Sequence, residues 1–186
     1  MYVAGEQQQR EISTIKPRTV SLKLSDADCE RIAKKAGAAG ITVSELLENF
    51  IGDLVCGTYS NGSDERDYAL QWYERCGFGM FPDATLIRYL IEDWQEDTFI
   101  EDLEEIQSMK DDIEYYEGMK NPDSDDLSDL QCAKEVLKEA ESRIDEVYSD
   151  YVKWCREEKP QSKEDAISGV LAWRDELAKL KGDDVD

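Results

Sequence analysis

The chain has 186 residues, with 22 Lys and Arg against 44 Asp and Glu and no histidine, for a formal net charge of −22. A charge of this size repels nucleic acid at long range, and the missing histidine removes Ser-His-Asp and Cys-His catalysis. Hydrophobic residues reach 40 %, with four Trp and nine Tyr, enough for a packed core, so the chain reads as folded despite its charge.

Other classes fall away on local pattern. No apolar run approaches the ~18 residues of a membrane span, and the polar start MYVAGEQQQREIS is no signal peptide. Cys29, Cys56, Cys76, Cys132 and Cys155 are odd in number and widely spaced, which fits free thiols in a reducing cytosol. Without C-x-x-C or histidine no metal site is expected. The G-F-G at Gly77 to Gly79 lacks the remaining features of a phosphate loop. The expectation is a non-enzyme without cofactor.

Residues 1–17 read as a flexible arm. From Thr19 to Leu24 the residues alternate, with Val20, Leu22 and Leu24 on one side and Thr19, Ser21 and Lys23 on the other, the pattern of a strand with one buried face. Ser25 and Asp28 cap a helix to about Ala36 that is expected to bury Ala27, Ile32 and Ala33. Gly37 and Gly40 punctuate its end. Thr42 and Glu45 form a capping box for a second helix with an apolar stripe of Val43, Leu46, Leu47, Phe50, Ile51 and Leu54.

The stretch 18–55, with its strand VSLKL, the helix end AKKAGAAG and the helix start ITVSELL, resembles the ribbon-helix-helix family of bacterial regulators and antitoxins. The resemblance implies that two chains pair their strands into a ribbon. Thr19, Ser21 and Lys23 would then face a major groove, and Thr42 and Ser44 would hold a phosphate at a helix start. Dimerisation without DNA reading is the alternative, since the basic footprint near the ribbon is thin. Residues 1–40 carry seven basic and five acidic groups, whereas residues 41–186 carry 15 and 39. The asymmetry suggests two surfaces with two tasks.

Residues 56–93 form an aromatic-rich helical connector, in which Tyr68, Trp72, Tyr73, Phe78 and Phe81 are expected as core or packing seam, with an exposed partner surface as the alternative. Residues 94–186 read as an acidic helical hairpin plus a C-terminal helix. One helix runs from about Asp97 to Gly118, with Phe99, Leu103, Ile106, Met109, Ile113 and Tyr116 at steps of three or four. A long helix follows from about Leu127. Leu130, Leu137, Ile144 and Tyr151 repeat every seven residues, as do Ala133, Ala140, Val147 and Trp154, a coiled-coil-like seam. Ser162 and Asp165 cap a last helix, and the tail from Gly182 is expected to fray.

The segment Glu92 to Ser128 holds 15 acidic residues and two Lys. If helical it spans about 55 Å at ~1.5 Å per residue, roughly one carboxylate per 3.6 Å, near the ~3.4 Å per phosphate of a DNA strand. Asp97, Glu101, Asp102, Glu104, Glu105, Asp111, Asp112 and Glu114 are the candidate partner-binding acids; a solvated face that keeps the chain soluble is the plain alternative.

The stretch SELLENFIGDLVCGTYSNGSDERDYALQWYERC (residues 44–76), with the acidic helical remainder, resembles more loosely the acidic type II anti-CRISPR proteins from mobile elements of gut Firmicutes. That resemblance implies a phage- or mobile-element-encoded inhibitor in the bacterial cytoplasm that binds a CRISPR effector nuclease with its guide RNA, or another basic nucleic-acid-binding protein, and blocks target-DNA recognition. The second reading is a ribbon-helix-helix transcriptional regulator or antitoxin that binds operator DNA while its acidic helices hold a basic protein. The expected architecture is mainly α: a homodimer with one short strand at the N-terminal unit, followed by the acidic hairpin.

Overall fold

The computed structural model describes residues 5–182. Those residues form nine helices and no strand, and the chain divides into two compact units, Met1–Asp83 and Ala84–Asp186.

The first unit contains α1 (Glu6–Ser13), α2 (Asp26–Ala38), α3 (Val43–Leu54), α4 (Ser63–Arg75) and the single turn α5 (Gly77–Met80). Helix α1 lies within the segment expected as an arm, of which residues 1–4 are outside the described ones. The strand expected at 19–24 is not formed: residues 15–25 have no regular structure. A strand needs a neighbour for its N–H and C=O groups, and this single chain offers none. Val20, Leu22 and Leu24 are accordingly 58, 57 and 51 % exposed.

The local signals downstream hold. Ser25 accepts from the Asp28 N–H, and Thr42 with Glu45 closes a full capping box. Gly40 takes the left-handed conformation after α2, at φ 74. Its N–H donates to the Gly37 carbonyl and that of Ile41 to Ala36, which closes the helix end. Burial differs from expectation. In α2, Ala36 is buried, whereas Ala27 and Ala33 are exposed and Ile32 is half-buried. The α3 stripe is at best half-buried, with Phe50 and Ile51 exposed. The reason is that these faces lack enough neighbours within the unit: among the described residues it buries Ala36, Asp53 and Ala69.

Asp53 organises the loop after α3, its two carboxylate oxygens accepting from the Asn61 N–H and the Asn61 Nδ2. Gly52 lets that loop approach, since a Cβ there would lie 2.2 Å from the Tyr59 carbonyl oxygen. Phe50, Trp72, Phe78 and Tyr73 pack ring to ring at 5.4 to 6.0 Å but remain exposed, as do Tyr68 and Phe81, so the expected aromatic core is a surface seam of four rings, for want of a layer that covers it.

The second unit contains α6 (Leu86–Glu92), which the sequence grouped with the connector, α7 (Glu96–Glu117), α8 (Ser124–Trp154) and α9 (Lys163–Lys181). The expected hairpin is α7 and α8, antiparallel across the loop at 118–123. Along α8 the seam positions Ala133, Ala140, Ile144 and Tyr151 are buried, and Leu130, Leu137, Val147 and Trp154 are half-buried. On α7, Phe99 is buried, and Leu103, Ile106, Met109, Ile113 and Tyr116 are half-buried. Asp123 caps α8 with Asp126 as its reciprocal partner, so α8 starts at Ser124, three residues before the expected start at Leu127.

The core gathers Leu86, Leu90, Phe99, Ile144, Tyr151, Cys155, Ala166 and Val170. It lies where α6 and α9 meet the end of the hairpin opposite its loop. Tyr151 is the largest fully buried side chain. Its hydroxyl donates to the Ala84 carbonyl (2.8 Å) and accepts from the Gln161 N–H (3.0 Å). Gln161 also accepts from the Tyr148 hydroxyl on its carbonyl and from the Leu86 N–H on Oε1. One loop residue thus ties α6, α8 and the start of α9 together. No helix among the described residues is long and apolar enough to cross a membrane. Residues 183–186 of the tail expected to fray lie outside the described ones.

Candidate partner-binding surface

Charge divides unevenly between the units. The first holds nine basic and 13 acidic residues, the second 13 and 31. The acidic surface is therefore a property of the helical hairpin unit.

The eight candidate acids of α7 separate into three groups. Asp102 and Glu105 are engaged within the fold. The Arg143 guanidinium donates through Nε to Asp102 at 2.8 Å and through Nη2 to Glu105. Asp102 is 9 % exposed, and its carboxylate, followed by that of Glu105, strengthens the hold of Arg143 on its proton. Glu104 and Asp111 form the second group, exposed but engaged: Glu104 pairs with Arg174 at 3.6 Å, and Asp111 accepts from Gln107 Nε2 at 2.8 Å. The third group is Asp97, Glu101, Asp112 and Glu114, all exposed, with no ion pair to a cation among the described residues.

The engaged acids set the hairpin geometry. Asp102 and Glu105 bind Arg143, Lys110 pairs with Glu141, and Glu117 with Lys134, so the two helices are cross-linked by charge along their length. The Tyr116 hydroxyl donates to Asp129 near the loop end; desolvation, then the Asp129 carboxylate, raise its pKa. Arg143 precedes the seam residue Ile144, a position where interhelical ion pairs form in coiled coils. The heptad carried that signal, and the composition of α7 alone did not separate Asp102 from its neighbours.

The N-terminal candidates lie apart in kind. Thr19, Ser21 and Lys23 are exposed in the irregular stretch before α2, and Ser44 is exposed in the first turn of α3. Thr42 is the α3 N-cap, with its hydroxyl and N–H both engaged by Glu45 at 2.8 and 2.7 Å. The Thr42 N–H, then its hydroxyl, hold the Glu45 carboxyl below its usual range. A carboxylate of the chain itself therefore covers the helix start where an incoming phosphate would bind.

Trp94 was not among the candidates. It falls in the six-residue run EDWQED between α6 and α7 and is 88 % exposed. Among the described residues no group of three or more His, Cys, Asp or Glu converges as a metal site. The chain matches no protein-family model, curated protein or solved structure.

Proposed function

We propose that the protein is a non-catalytic inhibitor that binds a type II RNA-guided nuclease and denies it target DNA, the acidic hairpin occupying a basic nucleic-acid channel. The observation that carries this reading is the exposed set Asp97, Glu101, Asp112 and Glu114 on a helix where Asp102, Glu104, Glu105, Asp111 and Glu117 are already engaged. These four span about 25 Å along the α7 axis at ~1.5 Å per residue. Asp97, Glu101 and Asp112 share one side of this stiff rod and Glu114 points away from them. Carboxylates carried on a preformed helix meet a basic channel with little backbone ordering cost, and counterions released from both surfaces favour the complex. The nuclease itself is named by the resemblance of residues 44–76 and the acidic remainder.

The test is capture of the guide-loaded nuclease by the purified chain, with target-DNA binding measured alongside. The reading expects stoichiometric capture, loss of DNA binding, and failure of the combined variant D97N/E101Q/D112N/E114Q. Capture by that variant at undiminished affinity would refute it.

A second copy of the chain is the proposed partner of the first unit. Val20, Leu22 and Leu24 alternate and are exposed, the arrangement that a ribbon between two copies would cover. Sedimentation is expected to give a dimer that Leu22→Glu dissociates; a monomer at micromolar concentration removes the ribbon. The same observation supports the regulator reading, in which Thr19, Ser21 and Lys23 face operator DNA. A specific gel shift abolished by Lys23→Ala, without nuclease capture, would favour that reading.

A further inference from the structure

Trp94 carries two costs that the fold does not need. Its backbone is left-handed, at φ 57, a conformation unfavourable for a bulky side chain. Its indole, at 88 % exposure, is the most exposed of the large hydrophobic side chains among the described residues; Phe81 follows at 76 %. The backbone explains the conformation. The Trp94 N–H donates to the Ile91 carbonyl and the Gln95 N–H to the Leu90 carbonyl at 3.0 Å, which is the hydrogen-bond pair that closes a helix end and that glycine serves best. Gly40 fills the equivalent position after α2. Cys56 and Arg156 are also left-handed, after α3 and α8, so the conformation is not unique. What sets Trp94 apart is an aromatic surface left in water.

Its surroundings in the chain are acidic. Glu92 and Asp93 precede it and Glu96 and Asp97 follow. Glu92 is held by Arg88, Asp93 accepts from Gln95 and one Glu96 oxygen is buried, so the open carboxylates are those of Asp97 and, one turn beyond on the same face of α7, Glu101. The molecule itself shows what an indole beside a carboxylate holds. The Arg88 guanidinium lies 5.0 Å from the Trp154 ring centroid, while its Nε bonds Glu92 at 2.8 Å. A guanidinium between an aromatic face and a carboxylate satisfies both its π surface and its donors.

We infer that Trp94, with the open carboxylates of Asp97 and Glu101 at the start of α7, is a docking site for an arginine side chain of a basic protein partner. The inference rests on the basic-partner reading above and deepens it by naming the anchor. Basic nucleic-acid sites stack unpaired bases on arginine planes; here the bicyclic indole would take the place of a base, and the carboxylates the place of phosphates. The aromatic contact would persist at ionic strengths that screen the exposed carboxylates.

The test compares oligoarginine and oligolysine peptides of equal length, titrated calorimetrically into the full chain at physiological ionic strength. Wild type is expected to prefer oligoarginine by roughly fivefold, the scale of a cation–π contact. W94G is expected to lose that preference, W94F to keep part of it, and both to melt no lower than wild type. No preference in wild type, or an equal preference in W94G, overturns the docking site. Failure of wild type to capture the guide-loaded nuclease overturns only the parent reading, because the peptide comparison does not use the nuclease.

Discussion

Replacing Tyr151 with Phe removes one oxygen from the centre of the second unit and leaves its ring in place. The lost hydroxyl donates to the Ala84 carbonyl and accepts from the Gln161 N–H, so two backbone groups lose their partner at once. Ala84 and Gln161 are half-buried, which lets water recover part of the loss. At about 1 to 1.5 kcal/mol for each orphaned group, the variant should be less stable by about 2 to 3 kcal/mol. For a unit of about 100 residues that is a fall in Tm of roughly 10 to 15 °C. The assay is thermal and urea unfolding of the full chain followed by far-UV circular dichroism, with Tyr148→Phe, which loses a single bond to the Gln161 carbonyl, as the milder comparison. Alkaline pH supplies an independent reading. Desolvation, the leading cause, pushes the Tyr151 phenol up to about 12 from its ordinary 10. The fold therefore favours the protonated phenol: this contribution is complete below pH 10 and is lost as pH rises through 12. Tyr151→Phe should lack that share of the alkaline decline. A loss under about 0.5 kcal/mol, or an unchanged alkaline profile, would refute the claim that Tyr151 and Gln161 tie the helices.

Three further outcomes follow from the same geometry. Asp102→Leu removes the better buried of the two carboxylates that bind Arg143 and should lower the urea midpoint, whereas the variant D97N/E101Q/D112N/E114Q should melt within a few degrees of wild type; urea unfolding of both separates structural from partner-binding acids. Gly52→Ala would place a Cβ 2.2 Å from the Tyr59 carbonyl oxygen, so the 56–62 loop must shift at a cost of about 1 to 3 kcal/mol; faster amide exchange at Asn61, whose N–H bonds Asp53, would report it. Trp94→Gly should raise stability by about 1 kcal/mol, because glycine adopts the left-handed conformation without the Cβ clash; a lowered Tm would show that the indole packs within the fold.

Much of the helical framework was legible in the residues alone. Caps are local: Ser25 with Asp28, Thr42 with Glu45 and Ser162 with Asp165 each satisfy a helix-start N–H within one turn, so a short window of chain specifies them. The seam of α8 was equally readable, because a seven-residue repeat of apolar side chains puts one stripe toward a neighbour whatever that neighbour is. The Thr19 to Leu24 pattern was read correctly as alternating, yet alternation supplies no hydrogen-bond partner, and the single chain leaves that stretch unpaired. The buried faces of α2 and α3 differed for a related reason: apolarity marks which side chains gain by burial, and only the surrounding structure decides whether anything covers them.

The sequence by itself determined the mainly helical class, the placement of most helices and the concentration of carboxylates beyond residue 92, since each depends on neighbours within a few turns or on composition. Tertiary structure decided which carboxylates remain free to meet a partner. Asp102 and Asp112 are the same residue type on the same helix, and a single guanidinium arriving from α8, 41 residues along the chain from Asp102, makes one a structural clamp and leaves the other in solvent. Likewise, Trp94 was one aromatic residue among many until the end of α6 folded and left it outside. Charge and apolarity are local properties of a side chain; whether either is satisfied depends on groups that only folding brings near.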